Sequence, residues 1–173
     1  MKSIAHLRAP RLAAAPRAAA RTVIKTLAWT VAVAACAGAW AHGDVTPQAV
    51  DTSSLPALGE VWRAENPFRQ NDAAIKVGTS AYNQNCARCH GLEAVSGGIA
   101  PDLRKLDNEC ATLKDAPRKA ACVKDNDDYF LTTVRHGRTR NGAVYMPPFE
   151  GPLSQEAIWS IKSYLETRRD KPL

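Results

Sequence analysis

Apolar positions are spread unevenly along the 173 residues. The longest apolar stretch, Leu27 to Trp40, comes early and follows a long basic front. From His42 to about Arg69 no apolar period is sustained, and Pro47, Pro56 and Pro67 punctuate a run rich in Pro, Ser, Thr and Ala, which reads as an extended arm. Trp62 and Phe68 are the side chains that could pin this arm to a domain surface. Helical periodicity begins next. Asn71 or Asp72 caps a helix whose inner stripe is Ile75, Gly78 and Tyr82 and which runs into Cys86. Gly91, Gly97, Gly98 and Pro101 then predict a loop, and the polar stretch Asp107 to Asp128 shows no pattern of a long helix. Asp127 offers an N-cap for a short helix through Tyr129, Phe130, Leu131 and Val134, stopped by Gly137. Residues 138 to 151 read as loop. Ser154 caps a last helix with the stripe Ala157, Ile158, Ile161, Tyr164 and Leu165, with Glu156 at its positive end and Arg168 and Arg169 at its negative end. No internal repeat and no convincing strand pair are visible, so the expected fold class is all-α.

Charge changes this picture in one respect. The chain carries a formal net charge of +6, but Lys2, Arg8, Arg11, Arg17, Arg21 and Lys25 lie within Met1 to Ala41, which has no acidic residue. From His42 onward basic and acidic residues balance, so a nucleic-acid partner has no electrostatic footing. The basic front, the apolar stretch and the small-x-small run Ala39-Trp40-Ala41 together read as a secretory signal peptide over residues 1–41. The apolar run is nearer to about 15 residues than to the ~20 of a bilayer-spanning helix. An uncleaved anchor is one alternative, and lipidation of Cys36 in Val33-Ala34-Ala35-Cys36 is another; only these would place the protein on a membrane. No Arg-Arg pair precedes the stretch, so export of an unfolded chain is expected.

The chemistry is concentrated in Cys86-Ala87-Arg88-Cys89-His90. Two thiols three positions apart on a helical turn can add to the two vinyl groups of one haem, and the His that follows faces the iron, so the motif reads as c-type haem attachment. A bare Cys-x-x-Cys would instead suit a redox dithiol or, together with Cys110 and Cys122, a zinc site. The adjoining His and the export signal favour haem. An electron-transfer haem has both axial positions filled, and Met opposite His raises the potential. Apart from Met1, Met146 is the only methionine, in Tyr145-Met146-Pro147-Pro148-Phe149, where two prolines stiffen its loop. It is the expected sixth ligand, with His136 the rival. An open sixth position would imply a ligand sensor or a peroxidase-like enzyme. In an exported chain Cys110 and Cys122, bracketing 11 residues, are expected to form a disulfide.

From about Asn71 to Arg169 the chain resembles the class I cytochromes c. The resemblance rests on the haem motif, on Gly78, Tyr82 and Cys86 at four-plus-four spacing, and on Gly98-Ile99-Ala100-Pro101-Asp102-Leu103. It implies that the last helix crosses the first at Gly78, with Tyr82 beside the crossing and Ile161 and Tyr164 as the matching contacts. It also implies that the Pro101 carbonyl accepts a hydrogen bond from the ring of His90. From His42 onward a closer resemblance is to the cytochromes c-550 that accompany PQQ-dependent alcohol dehydrogenases, in Trp62-Arg63, Asn66-Pro67-Phe68-Arg69 and Arg135-His136-Gly137-Arg138. That likeness implies a periplasmic one-electron carrier, not an enzyme, receiving electrons from a quinoprotein dehydrogenase and passing them towards a terminal oxidase or another cytochrome. Arg135, Arg138 and Arg140 lie shortly before Met146, which would place them near the haem edge, facing a propionate or an acidic partner; the alternative is a solvated basic face. The alternative is a haem subunit of a peroxidase-like or sulfur-oxidising enzyme, or a haem sensor. The organisation expected is a signal peptide over 1–41, an extended arm over 42–70 and a class I cytochrome c domain over 71–173 around one covalent haem c.

Overall fold

The computed structural model describes residues 46–170 and Leu173; the expected signal peptide, its cleavage site and Cys36 lie outside them. Its elements are α1 (Asp72–Asn85), α2 (Ala87–His90), α3 (Asn108–Ala111), α4 (Ala116–His136), the strands β1 (Arg138–Arg140) and β2 (Ala143–Met146), and α5 (Gln155–Thr167), with 3-10 turns at Leu92–Ala94 and Leu103–Lys105. Among the described residues no helix is long and apolar enough to cross a membrane.

Helix α1 starts where the Asn71 side chain accepts from the Ala74 N–H, and α5 where Ser154 accepts from the Ala157 N–H. These two helices make the largest contact between elements. Their closeness depends on Gly78: a Cβ there would fall 1.9 Å from the Ser160 carbonyl oxygen. Beside the crossing, the Tyr82 and Tyr164 rings lie 5.1 Å apart, and both residues are buried with Ala81 and Ile161.

Helix α5 is buried continuously from Ala157 to Leu165, so α1 cannot be its only cover. Residues 46–70 supply the rest. They form no helix or strand; Leu55 and Phe68 enter the core, and α5 side chains satisfy the backbone. The Leu58 N–H donates to Glu156 at 2.7 Å, the Arg63 N–H to Gln155 at 2.6 Å, and Ser163 donates to the Phe68 carbonyl at 2.9 Å. At the other end Gln48 and Asn85 exchange bonds, N–H to Oδ1 at 2.7 Å and Nδ2 to carbonyl at 3.1 Å.

Two expectations are corrected. The polar stretch after Asp107 is not free of a long helix: α4 runs for 21 residues, capped by Asp115 and with Pro117 in its first turn, so Asp127 is an interior residue and not a cap. The reason lies in Asp127 itself, which occupies a core-facing position and is fully buried. It pairs with Arg69 and lies 3.4 Å from the Lys162 ammonium, which also meets Glu166 at 3.1 Å and Asp107 at 3.6 Å; Arg169 holds Asp107 at 2.6 Å and Arg69 also reaches Glu166. Three cations and three carboxylates thus neutralise one another inside the fold, where an unpaired charge would be expensive. The second correction concerns the all-α class. Residues 138–146 are a hairpin, with antiparallel register Thr139↔Val144 and Arg140↔Ala143, turning through Asn141-Gly142 with φ of 50° and 77°. Both turn residues therefore have the left-handed conformation of the tight hairpin turn that matches strand twist.

Candidate cofactor site

The haem motif is shaped by the way α1 ends. Cys86 is the C-cap of α1, its N–H bonded to the Tyr82 carbonyl at 2.8 Å, and the chain coils on without a break. The N–H groups of Cys89 and His90 both bond the Cys86 carbonyl, at 3.1 and 3.0 Å, and Gly91 N–H bonds Ala87 at 2.8 Å. Cys86 and Cys89 are thereby one turn apart on the same face, with His90 directly after them. Both thiols are free, and Cys86 borders the core. Burial, and then the neighbouring Cys89, push the Cys86 thiol up to about 12.

The loop that follows folds back on the motif. Gly91 has φ +81°, and a Cβ there would fall 1.8 Å from the Val95 carbonyl oxygen. Ser96 accepts from the Gly98 N–H at 3.0 Å and donates to the Ala100 carbonyl, closing a compact turn just before Pro101. The Pro101 carbonyl then lies 2.9 Å from Nδ1 of His90. A carbonyl only accepts, so Nδ1 carries the hydrogen and Nε2 keeps its lone pair for a metal.

Met146 ends β2, half-buried against the same core as Cys86, Ala87, Leu103 and Leu106. Its loop is fixed to the end of α4: Phe149 N–H bonds Val134 at 3.0 Å and Glu150 N–H bonds Arg135 at 3.3 Å. Gly137, with φ +70°, lets the two segments touch, since a Cβ would sit 2.3 Å from the Met146 carbonyl oxygen. His136 is more than half exposed, and its Nε2 faces Glu150 at 3.6 Å. Arg135 also pairs with Glu150, at 2.8 Å, and lies over the Trp62 ring at 4.3 Å. Cys110 and Cys122 are joined by a disulfide with S–S 2.03 Å, tying α3 to α4. They are therefore unavailable to complete a zinc site with Cys86 and Cys89, and no group of three or more His, Cys, Asp or Glu side chains among the described residues could hold a metal ion.

Sequence reasoning missed three contributors. The Tyr82 hydroxyl donates to the Gly91 carbonyl at 2.8 Å. The Ser96 bonds order the approach to Pro101. The hairpin carries Met146, and Asn141-Gly142 between Arg138-Thr139-Arg140 and Ala143-Val144-Tyr145 was its available signal.

Free thiols one turn apart, followed directly by a ring nitrogen that its bonded partner leaves bare, suit a covalently attached haem, which is the mark of a c-type cytochrome domain. Comparison with known proteins agrees. The family model described as cytochrome C oxidase, cbb3-type, subunit III matches residues 73–165. Cytochrome c550 of Pseudomonas aeruginosa is 52% identical over 133 residues, 75% of this chain and 82% of that protein. Quinohemoprotein alcohol dehydrogenase ADH-IIG of Pseudomonas putida is 35% identical over 59% of this chain but only 12% of its own length. ADH IIB of the same species is 30% identical over 65% of this chain and 14% of its own length. No solved structure matches the chain significantly. The chain belongs to the c-type cytochromes; it binds one haem c covalently and takes part in electron transport.

Proposed function

We propose that the protein is a periplasmic one-electron carrier, exported by a signal peptide over residues 1–41, that accepts electrons from a PQQ-dependent alcohol dehydrogenase and passes them towards a terminal oxidase. Cys86 and Cys89 would hold haem c through thioethers, and His90 and Met146 would bind its iron. The observation that carries this reading is that the same kind of domain occurs both as a separate cytochrome c550 and as a short part of quinohemoprotein alcohol dehydrogenases. A separate carrier would occupy the place that the fused segment has there.

Haem c supplies a single Fe(III)/Fe(II) couple. The polypeptide does the remaining work: Pro101 orients His90 and the α4 end holds the methionine loop, and an iron bound by both side chains would be closed to substrates, as suits a carrier rather than an enzyme. The test is to mix the purified ferric protein with a quinoprotein alcohol dehydrogenase and an alcohol and to follow the reduced haem bands. Rapid reduction that requires both components is expected; no reduction would exclude this donor. Carbon monoxide should bind the ferrous protein slowly or not at all, and Met146→Ala should bind it readily.

A further inference from the structure

The turn that follows the haem motif is conformationally unusual. Gly91 has φ +81°, and two residues with side chains, Glu93 and Ala94, follow at +58° and +64°. L-residues rarely adopt this left-handed region unless their surroundings impose it. Tyr82, one turn before Cys86, stands at the centre of those surroundings. The residue is fully buried, and its hydroxyl donates to the Gly91 carbonyl at 2.8 Å, while the Ala94 backbone N–H is directed at the hydroxyl oxygen of Tyr82 itself. Burial holds the phenol well above its ordinary range, so the donor is permanent. The ring's packing on Tyr164 needs no hydroxyl, and a buried hydroxyl is a cost unless both its capacities are used. Here they are used on the two ends of a four-residue turn. A second strap, Arg168 to Glu93 at 2.9 Å, ties the same turn to the end of α5.

We propose that Tyr82 is a positioning residue for the His90 imidazole, its hydroxyl clamping Gly91 and Ala94 so that the turn presents both the His90 backbone and the Pro101 carbonyl in one fixed relation. The clamp acts on His90 from both sides: Gly91 is its chain neighbour, and the segment leaving Ala94 leads directly to the acceptor of its ring N–H. The proposal rests on His90 being an iron ligand. That reading has its own control, since His90→Ala must lose the low-spin haem spectrum; if the spectrum survives, the ligation is wrong whatever Tyr82 does.

The test uses the ferric holoprotein and three forms: the parent, Tyr82→Phe, which keeps the ring and removes the clamp, and Ile161→Val, which loosens the α1–α5 crossing elsewhere. The readouts are amide exchange at Ala94 and the paramagnetically shifted proton resonances of His90. Tyr82→Phe should speed exchange at Ala94 by roughly tenfold, the equivalent of one net hydrogen bond, and should move the His90 resonances. Ile161→Val should lower the melting temperature and leave both as in the parent. A Tyr82→Phe protein that melts earlier with unchanged Ala94 exchange and unchanged His90 resonances would overturn the proposal, leaving Tyr82 as packing. Should Tyr82→Phe not accumulate, 3-fluorotyrosine placed at position 82 alters the donor strength with the ring retained; it must shift the same His90 resonances, and no shift overturns the proposal equally.

Discussion

Gly137 and Met146 meet backbone to backbone: the space for a side chain at 137 is taken by the Met146 carbonyl oxygen, 2.3 Å from where a Cβ would stand. With φ at +70°, position 137 resists any L-side chain on conformational grounds as well. Gly137→Ala is therefore expected to destabilise the protein by roughly 1–3 kcal/mol and to displace the methionine loop. The methionine–iron charge-transfer band that the proposed Met146 ligation predicts for the ferric protein should weaken, and ferrous carbon monoxide binding should accelerate. An unchanged band would show that the loop relaxes without moving the sulfur.

The disulfide gives a prediction of the opposite kind. Cys110 and Cys122 tie α3 to α4 away from the thioether pair. Replacing both by serine should cost roughly 3 kcal/mol by chain-entropy reasoning for a loop of this length. The haem spectrum should persist while the denaturation midpoint falls.

The buried charge cluster makes stability depend on pH. Burial alone would raise the Asp107 carboxyl, but the hydrogen bonds from Arg169 and the Lys162 charge outweigh it, and the group lies below the usual carboxylate range. A carboxyl lowered on folding contributes stability that is complete above its unfolded value, about 3.9, and that is lost as pH falls through the lower folded value. Urea midpoints should thus drop on acidification below about pH 4. Asp107→Asn should show a shallower drop from a lower starting point. The fully buried Asp127 is a harsher case: Asp127→Ala would leave three cations sharing two carboxylates inside the fold, and a loss of roughly 3–5 kcal/mol is expected in the same assay.

The arginines before the methionine loop have different roles. Arg135 is occupied by Glu150 and Trp62, whereas Arg138, bonded to Thr133 and over the Tyr129 ring, and Arg140 lie on the exposed strand β1. If the latter pair steers docking, electron-transfer rates should fall as salt rises, and Arg140→Glu should slow the low-salt rate without changing the melting temperature. Arg135→Ala should do the reverse, loosening the contact between Trp62 and α4.

Much of the site was legible because its signals are local. Cys86 to His90 is one helical turn, and Asn71 and Ser154 cap the helices that their positions suggested. Helix α4 was obscured by a non-local effect. Its inward position 127 holds a carboxylate whose partners are Arg69 and Lys162, distant in sequence, so the apolar stripe is interrupted where the helix is most buried. The Tyr82 hydroxyl was hidden for a related reason: a ring at helical spacing signals packing, and nothing in the spacing says where its oxygen points. The hairpin differed, since Asn141-Gly142 was a readable local signal masked by arginines on both sides of β1.

The strap of residues 46–70 bears on the order in which the molecule assembles. Leu58, Arg63 and Asn66 find their partners in Glu156, Gln155 and Ser163, at sequence separations of 98, 92 and 97. Nothing nearer in sequence can close those bonds, so the segment that leaves the ribosome before the haem motif has no finished place until the last helix has been made and has docked on α1. Contacts of such high order form late, after the entropy of closing a long loop has been met. The helix ends that carry the two cysteines can thus take shape while the outer layer is still open, and its closure on α5 completes the fold.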